Sequence, residues 1–177
     1  MRRWVLPLLL VVTVLAGSGV AAARSTPALT AGDTAHVDGT ETSAPFTVAD
    51  RTIRQLRYVD RGTVSYTFPV TNDGRLPLTV HGLAGDQPDP RLFDLTGLSP
   101  VSLAPGETAP VTLTLAMNGC ESLSSRSGSF VREVALRTTR AGMFDDVVVV
   151  ALPEELHTGS AREASCPRAT AQSRPQG

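Results

Sequence analysis

Residues 63–83 read TVSYTFPVTNDGRLPLTVHGL, and no other stretch limits the possible folds as sharply. Val64, Tyr66, Phe68 and Val70 alternate with Thr63, Ser65, Thr67, Pro69 and Thr71. A period of two is that of a strand with one face buried, and it cannot lay one apolar stripe along a helix. Asn72-Asp73-Gly74 then supplies residues that tolerate positive φ, and Leu76, Leu78 and Val80 resume the alternation. The two runs therefore form either a hairpin or a corner where the chain changes sheets. Pro69 and Pro77 lack a ladder donor, which places each where the N–H would point outward or at a bulge. The stretch carries core on one face, hydroxyls on the other, and no catalytic side chain.

The same pattern recurs downstream. SPVSLAPGETAPVTLTLAMN holds a short apolar run, a Pro105-Gly106 turn and an alternation through Val111, Leu113, Leu115 and Met117. FVREVALRTT and FDDVVVVALP flank Arg140-Ala141-Gly142-Met143 and predict a final hairpin. Residues 147–152 are apolar on both parities, so they are expected inside the sheet or covered on both sides, with Asp145, Asp146 and Pro153 as flanking gatekeepers. FTVADRTIRQLRYVD adds one or two strands, and EELHTGSARE has room for a helical turn or two. About seven short strands divided by turn signals predict an all-β, Ig-like antiparallel β-sandwich, with a small barrel as the alternative.

The first 23 residues have the parts of a secretory signal: Arg2 and Arg3, an apolar run from Trp4 to Ala16, and Ala21-Ala22-Ala23 as a cleavage site. The alternative is an uncleaved anchor, since residues 4–23 come close to the roughly 20 needed to cross hydrocarbon. Residues 24–45, rich in Ser, Thr, Ala, Gly and Pro, read as a flexible linker. Residues 46–155 form the folded domain, and residues 156–177 a mostly disordered tail. Without residues 1–23, 14 basic residues face 17 acidic ones, so the mature chain is mildly acidic. Its basic residues are all scattered arginines, a GC-rich coding bias rather than a footprint for nucleic acid, which is not an expected partner.

Three segments carry a family resemblance: VSYTFPVTNDGRLPLTV, FDLTGLSPVSLAPGETAPVTLTL and VALRTTRAGMFDDVVVVAL. They resemble the Hydin-type (ASH-like) Ig-like β-sandwich domains of exported bacterial proteins, actinobacterial ones included. The matching positions are Asn72, Gly74, Pro77, Leu78, Pro105 and Gly106. The resemblance implies a sandwich without catalytic residues, used for binding or assembly. After Met117 the chain departs from the family pattern with NGCESLSSRSGS, a longer polar loop carrying a cysteine.

Cys120 and Cys166 are the two cysteines. An even count in an exported chain predicts a disulfide, and the final hairpin would return the tail to the pole of the Cys120 loop. The tail is then pinned at Cys166. No C-x-x-C occurs, and two thiolates do not fill a zinc shell. His36, His81 and His157 are scattered, with Met117 and Met143 as thin supplements, so no metal site is assigned. Asp86, Asp89, Asp94, Asp145 and Asp146 lack the ligand spacing of a calcium loop. Ser124, Ser125 and Ser127 sit in no G-x-S-x-G elbow.

No cofactor and no catalytic residue are therefore expected. The chain reads as a non-enzymatic, secreted or extracytoplasmic module that touches a protein or the cell envelope, with no membrane contact unless its leader stays uncleaved. Its longest polar connections, residues 84–95 and 119–129, are the expected contact loops. The alternatives are an extracytoplasmic hydrolase acting on surface polymers, which requires convergent acids in a cleft, or a metal-delivery protein, which requires His81 and a methionine within coordinating distance.

Overall fold

The computed structural model describes residues 26–57, 59, 61–85, 87, 94–117 and 129–158. Eleven strands form a two-sheet β-sandwich: β1 (Leu29–Ala31), β2 (His36–Asp38), β3 (Phe46–Val48), β4 (Arg51–Leu56), β5 (Thr63–Asn72), β6 (Leu78–Leu83), β7 (Asp94–Leu98), β8 (Val101–Leu103), β9 (Thr108–Ala116), β10 (Ser129–Arg140) and β11 (Phe144–Thr158). One sheet runs β1-β5-β9-β7, with β2 sharing the β5 edge with β1; the other runs β3-β4-β11-β10-β6-β8. No helix occurs among the described residues, and EELHT belongs to β11 rather than to a helical turn.

The period of two in β5 and β9 builds the core directly. Tyr66 lies opposite Leu113, Phe68 opposite Val111 and Val64 opposite Leu115, all buried. Leu78, Val80, Val134, Leu136, Val148, Val150 and Leu156 face them from the other sheet. Tyr66 and Phe68 meet at a ring-centroid distance of 5.5 Å, tilted by 39°. Pro69 and Pro110 are directly opposed in the register, so their missing donors point away from each other. On the Pro69 side lies the break between β1 and β2, where Gly32 N–H reaches the Pro69 carbonyl at 2.9 Å.

Residues 72–76 are a corner, because β5 and β6 lie in different sheets. The corner does not use positive φ at Asn72, Asp73 or Gly74. Buried Asn72 organises it instead: its Nδ2 donates to the carbonyls of Leu76 (2.9 Å) and Leu103 (3.2 Å), and its Oδ1 accepts from Gly74 N–H at 3.0 Å. The final hairpin is formed as expected. Met143 N–H bonds to the Arg140 carbonyl at 3.1 Å, and φ is +51° at Ala141 and +69° at Gly142, a mirror-image turn that suits strand twist.

Several expectations need correction. The segment 24–45 is not a linker throughout: β1 and β2 pair antiparallel with β5, and Leu29 enters the core. Each strand is three residues long, too short for a period to show in Ser- and Thr-rich sequence. The folded domain therefore begins before residue 46, and it runs to Thr158. The strand count rises from about seven to eleven through such short pieces, and one pair, β4 with the end of β11, is parallel.

The run 147–152 is not covered on both faces. Val148, Val150 and Leu152 are buried, but Val147 is 63% and Val149 56% exposed. Residues 144–152 pair only with β10 among the described residues, because β4 joins β11 from Glu155 onward.

Candidate contact surface

The parallel pairing of β4 with β11 brings two distant hairpins onto one sheet face. Cross-strand partners share a face. Phe46 opposes Ile53 and Val48 opposes Arg51; Ile53 lies beside Glu155, Gln55 beside His157, and His157 opposite Phe130. Leu56, on the alternate parity, is buried, so this row is the outer face. Phe46 is 40%, Val48 52% and Phe130 47% exposed. The Arg51 guanidinium carbon lies 5.8 Å from the Phe130 ring centroid and that of Arg132 lies 5.5 Å from it, both within cation–π range.

A charged layer fixes this face. Arg51 grips Glu155 with both branches of its fork, Nε to Oε2 at 2.9 Å and Nη2 to Oε1. That hydrogen bond, then the charge of Glu155, raises the Arg51 pKa. Arg54 Nε donates to Glu154 Oε1, and its Nη1 to the Ser43 carbonyl at 3.2 Å. Glu154 and Glu155 are both buried, a placement that is tolerable only because each has a guanidinium partner. Burial, and then the nearby Glu154 carboxylate, pushes the Tyr66 hydroxyl far above the usual phenol range, while Arg54 pulls it down. That hydroxyl is sealed in the core without a hydrogen bond of good geometry. A proton held on that hydroxyl is out of reach of a substrate in solvent.

The residues singled out in the sequence are mostly dispersed. His36 sits on β2 with Nε2 at 3.1 Å from Asp38 Oδ1, both exposed. His81 and Asp145 do come together, through Thr139: His81 Nε2 lies 2.7 Å from Thr139 Oγ1, which donates to Asp145 Oδ1 at 2.7 Å. In a hydrolytic relay the imidazole stands between acid and hydroxyl, whereas here the hydroxyl stands between acid and imidazole. Asp146 pairs with Arg140 at 3.2 Å, Met117 is fully buried, and Met143 caps the last hairpin, 72% exposed. Among the described residues, no three His, Cys, Asp or Glu side chains gather as a metal shell would require.

A cavity of about 380 Å³ opens on the five-stranded sheet beside the β1–β2 break. Pro69, Pro110, Ala35 and Ala109 line it with threonines, and His36 is its one titratable group. Asp94 is an exposed strand start. Cys120, Cys166, Ser124, Ser125, Ser127, Asp86, Asp89 and the leader lie outside the described residues, as do most of the two expected contact loops. No helix of the described residues is long and apolar enough to cross a membrane.

Sequence reasoning did not single out Arg51, Phe130 or the Glu154-Glu155 pair. The one available signal is the pair of acids just past Pro153, at the start of the stretch that the sequence gives room for a helical turn or two.

No family model matches this chain, and no curated protein matches it. Among solved structures it is similar to the cupredoxin domain of amoB from Nitrosocaldus yellowstonii, at 11% identity and a TM-score of 0.27. That match covers 65% of this chain and 65% of the other, just under two thirds of its length. At that TM-score the likeness bears on neither binding nor chemistry.

Proposed function

We propose that this chain is a non-enzymatic, exported Ig-like module of the Hydin type that makes contact with a protein or with the cell envelope. The observation that carries this is the outer face of β3, β4 and β10, where Phe46, Val48 and Phe130 stand in solvent with two guanidinium groups against one ring. Exposed apolar side chains gathered on one face, rather than scattered, mark interaction surfaces. Aromatic and arginine side chains carry the largest share of binding energy at protein interfaces. Arg51 is already committed to Glu155, and Arg132 brings a further cation to Phe130, so the face suits a partner with an apolar side chain beside a carboxylate or phosphate. Phe130 is a strand residue paired with His157, so its backbone is carried by the sheet rather than by a loop.

The test is retention of the exported protein on its own envelope fraction. Phe130→Glu and Val48→Glu each place a carboxylate on the patch without touching the core. Each is expected to lower the retained fraction at least tenfold, with an unchanged thermal unfolding curve. Retention indifferent to both substitutions overturns the assignment.

A further inference from the structure

The open edge of β11 is a separate feature, at the opposite end of the same sheet from the Phe130 patch. Residues 144–152 bond to β10 in an unbroken register from Phe144 to Ala151 and have no strand on their other side among the described residues. β1 of the facing sheet packs near this strand, but no ladder joins the two. Proteins blunt such edges with shortness, bulges, charge or proline. Here Asp145, Asp146 and Pro153 stand at the ends, and the middle presents Val147 and Val149, 63% and 56% exposed. We propose that this edge pairs with the same edge of a second copy, antiparallel about a two-fold axis, joining two six-stranded sheets into one.

The sequence of the edge is what selects a second copy. A two-fold axis sets residues opposite each other whose numbers have a fixed sum, and residues on one face must share parity. Aligning all of residues 144–152 centres the axis on Val148. Val147 then faces Val149 of the second copy, and by symmetry the pair occurs twice. Asp145 faces Ala151 and Asp146 faces Val150, so no like charges meet. Asp146 is in any case paired with Arg140 within its own chain. β-branched pairs directly opposite each other stabilise strand pairing, and like charges opposed would weaken it. An unrelated strand would gain the backbone bonds but not this match. The edge is roughly 30 Å long at about 3.4 Å per residue. Its contact therefore falls below the roughly 1,200 Å² of a standard interface, which makes the dimer weak and dependent on concentration.

Sedimentation of the purified full-length exported protein from micromolar to millimolar concentration, with amide hydrogen exchange at both ends, tests this. The average mass should climb from one chain toward two, and amides of residues 144–152 should gain protection with concentration. Val147→Lys with Val149→Lys alters only exposed side chains; it should keep the thermal unfolding curve and weaken association at least tenfold. Phe130→Glu should leave association intact, which separates this result from the fate of the contact patch. A chain that stays single at millimolar concentration, or a dimer indifferent to the valine substitutions, overturns the proposal. So does equal protection at every concentration, which would mean that the chain's own remaining segments cover the edge.

Discussion

Asn72 is the most exacting place to perturb this fold. It is buried and joins three pieces of chain: its side chain binds the corner at Leu76 and Gly74 and the end of β8 at Leu103. Its backbone binds the β8–β9 turn, N–H to the Glu107 carbonyl at 3.0 Å and carbonyl from Gly106 N–H at 2.7 Å. Asn72→Ala leaves the backbone bonds but removes all three side-chain bonds, stranding the buried Leu103 carbonyl and leaving the part-buried Leu76 carbonyl and Gly74 N–H without their partner. At about 1 kcal/mol for each lost bond, the cost is about 3 kcal/mol. For a domain of this size that lowers the melting temperature by about 10 °C.

Asn72→Asp sharpens the test. It keeps an acceptor for Gly74 N–H but turns a second oxygen on two carbonyls, so the folded state favours the protonated acid and raises its pKa above the unfolded value of about 3.9. A raised carboxyl pKa means that the folded state binds more protons. Stability is then highest below about pH 4 and falls as pH rises, relative to the native chain. Urea unfolding followed by far-UV circular dichroism at pH 4 and pH 7 measures both effects. A cost for Asn72→Ala below about 1 kcal/mol, or an Asn72→Asp chain as stable relative to the native one at pH 7 as at pH 4, refutes the role given to this side chain.

Other outcomes follow from the same structure. Replacing Arg54 or Glu154 singly by an apolar residue of similar size should cost about 3–5 kcal/mol, while replacing both together should cost far less. A thermodynamic cycle on the four proteins reads the difference, and additive costs would contradict the pairing. Gly39 has φ of +92°, and a Cβ there would come within 2.4 Å of the Thr63 carbonyl oxygen, whereas Gly85 meets nothing within 4 Å. Gly39→Ala should cost more than about 2 kcal/mol and Gly85→Ala less than about 0.5, compared by thermal unfolding. For the proposed Cys120–Cys166 disulfide, intact mass should show two alkylated thiols only after reduction, and reduction should cost about 4 kcal/mol on the chain-entropy account. Two thiols alkylated before reduction would remove the crosslink.

The long strands were legible because a period of two over ten residues, as in β5, admits one interpretation. β1 and β2 are not, since three-residue strands that bring only Leu29 and Ala31, or Val37, to the core are too short to show a period. Pro69 announces a constraint in the sequence, but only the register shows that Pro110 stands directly opposite it. Asn72 was marked as a turn residue for its backbone freedom, and its amide proved to be what the corner uses. The proposed contact face is illegible for a different reason. Phe130 and Glu155 meet Arg51 across about 80 to 100 positions through one parallel pairing, and nothing local in either segment encodes that meeting. Nothing local marks Glu154 and Glu155 for burial, because their guanidinium partners lie on another hairpin.

The Phe130 face is the proposed contact surface of this chain. Site-specific photocrosslinking on the native envelope tests it most directly, with the reactive group placed at Phe130, at Val48 and, as a control, at Ser99 beside the five-stranded sheet. Adducts of one defined mass at Phe130 and Val48, and none at Ser99, are the predicted result. Adducts at Ser99 with none at Phe130 or Val48 would contradict it.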